Sequence, residues 1–316
     1  MDERTSKVFD ILKVFSMFFV FLAHFVGAVY PEIPIWLLAS FALFIFGFSS
    51  AYFTSEKYFG NFSLKQYFGN KIKRLYVGLA VIFVFLGLLF FVEGRQNIFS
   101  FQSLMQYLGF GGILNWFSIE NTSPFGAGMW FITLLLIFYL LFPILNRFIA
   151  GKIQTWTFMV LGIICLYVWS MFFYPGTSLF LTASAFILGF GFSRLKLKLS
   201  SGHALYLALL SVAFFGVYAF FVLIKFKQFN FFFQFFMYLC AMLFLLRVPL
   251  IIKLFNPISF LSMCLLEFYL IAPYLSFHLF NHLIVDLLFS IAIILPVSLA
   301  LASISKRISK ALFESG

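Results

Sequence analysis

Lys13 and His24 are the side chains whose spacing first points to chemistry. They stand eleven positions apart in the run KVFDILKVFSMFFVFLAH, Lys7 to His24. At about 100° per residue that step is about three helical turns plus roughly 20°, so both share one helix face, about 16 Å apart along the axis. That separation is about half the thickness of a bilayer's hydrocarbon layer. An ionisable group so deep costs a few kcal/mol unless it faces protein or water, so a functional histidine is the first reading. Plainer readings stand beside it: Lys13 can extend its ammonium back to the interface, and a neutral imidazole can hydrogen-bond a neighbouring helix.

A second set of cations lies in EKYFGNFSLKQYFGNKIKRLY, which carries Lys65, Lys71, Lys73 and Arg74 just before an apolar run. Lys71 and Arg74 are three residues apart and on a helix would be neighbours able to grip one diphosphate. Ordinary basic flanking of a membrane span explains them too. Glu267, inside SFLSMCLLEFYLIAPY, is a carboxylate in a late apolar run and needs a proton or a partner there. The partner would be His24 or a basic group, which would orient the imidazole, or else a plain hydrogen bond between helices.

His278, His282 and Asp286 have four-residue spacing but straddle an expected turn at Asn281, so no metal is expected. Cys165, Cys240 and Cys264 each stand alone in apolar sequence and read as structural thiols. The longest polar break, 93–125, mixes Gly109, Gly111, Gly112, Asn115, Trp116, Glu120 and Asn121. Aromatics beside amides suit sugar rings, and they equally suit anchoring at an interface. An Asn121-Thr122-Ser123 sequon adds little.

The elements that must position these groups are membrane spans. With 64% hydrophobic and 10% charged residues, the chain excludes an ordinary soluble globule and predicts an all-α integral membrane protein. Ten spans are expected, near 9–29, 34–54, 75–92, 127–147, 153–173, 177–194, 204–224, 228–247, 257–278 and 283–303. Breaks are expected at Pro31, Pro34, Pro175-Gly176 and Asn256-Pro257. The first run has no small-residue cleavage site and is expected to be retained as a span. With both termini cytoplasmic, 17 of the 21 lysines and arginines fall on the inner side, and only Arg95, Lys225 and Lys227 on the outer. Topology thus absorbs most of the net charge of +11, and no nucleic acid is expected as a partner. Residues 1–316 are expected to form a single transmembrane domain with no appended soluble domain.

Five stretches together resemble the membrane acyltransferase-3 family. K-x2-D-x2-K-x10-H, ending in Lys13 and His24, resembles its opening signature, with lysine where arginine is commoner. K-I-K-R, from Lys71 to Arg74, resembles its basic pair before the third span, with Val77 replacing a frequent proline. FGFSSAY, from Phe46 to Tyr52, resembles a second-span motif with Ala51 for glycine, whose small residues would pack against span one. Trp130, Phe138, Tyr139 and Pro143 fit the fourth-span frame, but Leu135 and Leu136 stand where many glycan-modifying relatives carry glutamate. S-F-L-S…E-F-Y-L, holding Glu267, resembles a late span.

The resemblance implies ten spans with cytoplasmic termini and transfer of an acyl group, usually acetyl, from coenzyme A to a hydroxyl of a cell-surface or lipid-linked glycan. It implies His24 as general base, Glu267 beside it in the catalytic set, and Lys13, Lys71, Lys73 and Arg74 around the coenzyme A phosphates. Acetyl-CoA would be the donor substrate, membrane lipid and a glycan acceptor the other partners, and the cell membrane the location. The missing fourth-span acids suggest a different branch. Two other readings stay open: a transporter or flippase of a lipid-linked or anionic substrate, with His24 and Glu267 as a proton relay, and a sensor that has lost catalysis.

Overall fold

Backbone N–H and C=O groups find no water in a bilayer, so apolar runs of this length satisfy them internally as helices. The computed structural model describes residues 3–30, 35–59, 62–172, 177–197, 203–225, 229–280 and 282–313, and these hold helices and no strand. In chain order they are α1 (Glu3–Val29), α2 (Trp36–Tyr58), α3 (Leu64–Val92), α4 (Phe101–Tyr107), α5 (Gly112–Trp116), α6 (Met129–Phe148) and α7 (Lys152–Phe172). Then come α8 (Thr177–Arg194), α9 (Ala204–Leu223), α10 (Asn230–Leu245), α11 (Leu250–Phe255), a 3₁₀ segment (Asn256–Cys264), α12 (Leu265–Ile271) and α13 (Leu283–Phe313).

Among the described residues nine stretches are long and apolar enough to cross a membrane, and α10, with 16 residues, is a shorter apolar helix at the expected eighth span. The protein is an all-α integral membrane protein. Two boundaries differ from the sequence reading. The third span begins at Leu64, not near 75, because Ser63 caps α3 by accepting the Gln66 N–H. The ninth runs Leu250–Ile271, not 257–278. Asn256-Pro257, expected as a break, opens the 3₁₀ segment and so lies inside the span. Beyond Ile271 the chain turns early because Asp286 Oδ1 accepts the Leu279 and Phe280 N–H groups at 2.9 and 2.8 Å, fixing the entry to α13. The expected breaks at Pro31, Pro34, Pro175-Gly176 and Asn281, with Lys198 and Lys227, lie outside the described residues.

The chain divides into two compact units, each drawn from separated stretches of sequence. The first comprises 1–16, 40–59 and 144–260. Its core gathers Phe9, Phe44, Phe48, Phe180, Phe235 and Tyr238 around paired α7 and α8 and paired α9 and α10. Glycines set the closest approaches: a Cβ on Gly47 would press on the Thr182 carbonyl of α8, and one on Gly189 would press on the Phe48 carbonyl of α2. The small residues of FGFSSAY therefore fit α2 against α8. Its rings meet span one instead, with Phe48 stacked on Phe9 at 5.9 Å.

The second unit comprises 17–39, 60–143 and 261–316. Here α3 packs on α12 and α13, with α4 alongside. Phe83, Phe90, Tyr107 and Phe125 form an aromatic knot beneath the long polar break, which is folded into α4 and α5.

Candidate functional site

His24 sits on α1, an unbroken helix, so the eleven-residue step from Lys13 is realised as a shared face. Both side chains meet α2. The His24 ring lies edge-on to Trp36 at 5.1 Å, and Gly27 leaves room for that indole, since a Cβ there would come within 3.1 Å of it. The residue is exposed. Beside it is a recess of about 10 Å³, room for about one water, walled by Met17, Phe21, Phe268, Tyr269 and Pro273.

Lys13, in the first unit, has a side chain only 16% exposed, lies over the Phe53 ring at 4.9 Å and is paired with Asp10 at 3.4 Å. A partly desolvated lysine held by a ring and a long ion pair can exchange both for a more highly charged anion.

Glu267 is buried on α12 and is not among the residues that wall the histidine's recess. Its carboxylate lies beside Gly78 of α3, where a Cβ would stand 3.6 Å from Oε1, with the Ser305 hydroxyl of α13 close by. The next two residues, Phe268 and Tyr269, line the recess with His24. Glu267 thus sits where α3, α12 and α13 meet.

The basic residues before the third span lie on α3 itself, and the helix divides them. Lys71 Nζ is 3.8 Å from the Tyr139 ring centroid of α6 and 5.7 Å from Tyr67, whose hydroxyl donates to the Tyr139 carbonyl at 2.9 Å. Arg74, one turn on, is exposed. Lys73 takes another face and approaches Phe313 at the end of α13, 5.8 Å from the ring centroid.

The sequence reading missed the groups that pin the polar break to the helices. Tyr274 Oη accepts the Gly126 and Ala127 N–H groups at 2.9 and 3.1 Å, and Tyr269 Oη donates to the Gly128 carbonyl at 3.0 Å. Gly128 has φ +76° and its Cβ position is filled by the Tyr269 ring, so glycine is needed there twice over. Thr133 on α6 donates to the Gly109 carbonyl at 2.7 Å and accepts the Gly112 N–H at 2.9 Å. Leu136, one of the two residues replacing the fourth-span acids, packs onto Gly109. A threonine alone in an apolar helix was the available signal for this.

Among the described residues no group of three histidines, cysteines or carboxylates is placed to hold a metal ion. Asp286 instead binds backbone, and His278 packs on Phe25 at 4.4 Å between ring centroids. A family model described as an acyltransferase domain matches residues 7–305, nearly the whole chain and every motif above. The chain belongs to the acyltransferase-3 family. No curated protein and no solved structure gives a significant match. The lysines at 7 and 13, where the resemblance has arginine as the commoner residue, keep the charge but lose the planar bidentate fork.

Proposed function

We propose that the protein is an integral membrane O-acyltransferase that moves an acyl group, acetyl in the simplest case, from cytoplasmic acyl-CoA to a hydroxyl of a cell-surface or lipid-linked glycan. The observation that carries this reading is the acyltransferase-family match over residues 7–305. It is supported by a histidine on the same face of α1 as a lysine nearer the start of the helix. His24 takes the proton from the acceptor hydroxyl, and the oxygen attacks the thioester carbonyl. The C–S bond breaks, coenzyme A leaves as thiolate, and the imidazolium returns the proton to sulfur. Lys13, Lys71, Lys73 and Arg74 hold the donor's phosphates. Glu267, set against α3 and α13, keeps α12 and its recess-lining neighbours in place.

The test is incubation of membranes with radiolabelled acetyl-CoA. A positioned general base is worth about 10²- to 10⁴-fold in rate, so His24→Ala is expected to lower label transfer by that factor while insertion and expression stay at the wild-type level. Undiminished transfer removes His24 from the mechanism. Gradient-driven flux of substrate with no covalent label makes the protein a transporter instead.

A further inference from the structure

A general base works only in the rotamer that brings a ring nitrogen to the acceptor hydroxyl, and an exposed side chain is free to leave that rotamer. In a serine-protease triad a carboxylate holds the imidazole in place. His24 is exposed, and its imidazole makes no hydrogen bond or ion pair among the described residues. Glu267 does not wall its recess, and the wall is apolar apart from Tyr269, whose hydroxyl is bonded to the Gly128 carbonyl. The ring that His24 does meet is Trp36, at 5.1 Å between centroids and 87° between planes.

The second unit holds both rings, and its helix ends set the contact between them. α1 ends at Val29 and α2 begins at Trp36, so the indole stands at the start of α2 beside the last turns of α1. On α1, His24 and Gly27 are three residues apart and therefore neighbours on the helix surface. Gly27 leaves the space into which the indole fits: a Cβ there would stand 3.1 Å from Cζ2, 3.2 Å from Cε2 and 3.3 Å from Nε1 of Trp36. The absent side chain at 27 thus decides how close the indole comes to α1, and with it where the ring stands against the imidazole. Anchoring at an interface accounts for a tryptophan at a helix end, but it asks for neither a perpendicular partner ring nor a glycine beside the indole.

We propose that Trp36 is a positioning residue for the base: its indole holds the His24 ring in the rotamer used for acyl transfer, the task a carboxylate performs in a triad. This rests on the proposed role of His24 as general base. A perpendicular aromatic pair favours one rotamer over its alternatives by roughly 2- to 12-fold. Gly27 supplies a second handle on the same contact, because it touches the indole and takes no part in the chemistry.

Membranes holding equal amounts of each variant are assayed for label transferred from radiolabelled acetyl-CoA over a range of its concentrations. Trp36→Leu is expected to lower the rate at saturation by that factor and to leave the KM for acetyl-CoA unchanged, because the contact acts on the base and not on the donor. Trp36→Phe keeps a ring and is expected to recover most of the loss. Gly27→Ala is expected to reproduce the loss, since its methyl pushes the indole aside, although alanine is the better helix former. In the Trp36→Leu background Gly27→Ala is expected to add nothing, because the ring it displaces is gone. Additive losses overturn the inference, as does an equal loss in Trp36→Phe and Trp36→Leu. If His24→Ala abolishes transfer and Trp36→Leu runs at the wild-type rate, the inference falls and the base reading stands. If His24→Ala transfers label at the wild-type rate, both fall.

Discussion

At the scale of single residues, charge placed in apolar sequence was legible and hydrogen-bonded tyrosines were not. Lys13, His24 and Glu267 are conspicuous because each is expensive in a membrane, whatever the fold. Tyr269 and Tyr274 look like interfacial aromatics until the fold brings their hydroxyls to the backbone of 126–128, more than 140 positions away in sequence. Tyr274→Phe leaves two N–H groups without their acceptor, a loss of about 1–3 kcal/mol where water cannot replace it. Amide hydrogen exchange read by mass spectrometry should therefore quicken at Gly126 and Ala127 while the amides of α3 keep their protection. Unchanged exchange at those two positions would show that the hydroxyl does not hold the loop. The partner of Glu267 was equally beyond the sequence, because helical spacing fixes which residues share a face and says nothing of which helix that face meets.

Helices carry the next level, and here glycine decides the fit. In a bilayer helices gain little from burying apolar surface against each other, so close approach of backbones through small residues sets their packing. Gly189 on α8 lies against the carbonyl of Phe48 on α2, and backbone cannot swing aside as a long side chain can. Gly189→Ala is expected to destabilise the protein by about 1–3 kcal/mol, the usual cost of overfilling a packed site. Gly216 on α9 has no atom within 4 Å of its Cβ position, and Gly216→Ala is expected to be neutral or stabilising by up to about 1 kcal/mol. Thermal unfolding in detergent distinguishes the two. The periodic apolar runs announced most of these helices in advance. Where the reading failed, at the start of α3 and through Asn256-Pro257, the cause was local: a serine cap drew a polar stretch into helix, and a 3₁₀ turn accommodated a proline that normally signals a stop.

For the molecule as a whole, sidedness is the testable property. The start of α3 and the end of α13 meet across one cavity in the second unit, as an upward and a downward span must if both begin and finish on the same side. In a cysteine-free background, Phe99→Cys, at a position 90% exposed in the polar break, should react with a membrane-impermeant maleimide from outside intact cells. Arg307→Cys, in the basic last turns of α13, should react only after permeabilisation. Labelling of both from outside would overturn cytoplasmic termini.

The sequence alone determined the class: its excess of apolar residues forbids a soluble core, the length of its runs dictates helices, and five spaced motifs indicate the acyltransferase-3 family. Tertiary structure decided which groups meet. Lys71 and Lys73, two residues apart, point to different partners because a helix turns about 200° between them. Glu267, Gly78 and Ser305 come together only because α3, α12 and α13 pack in one unit. Spacing along a chain is a local quantity, whereas contact between distant helices depends on shape at every crossing.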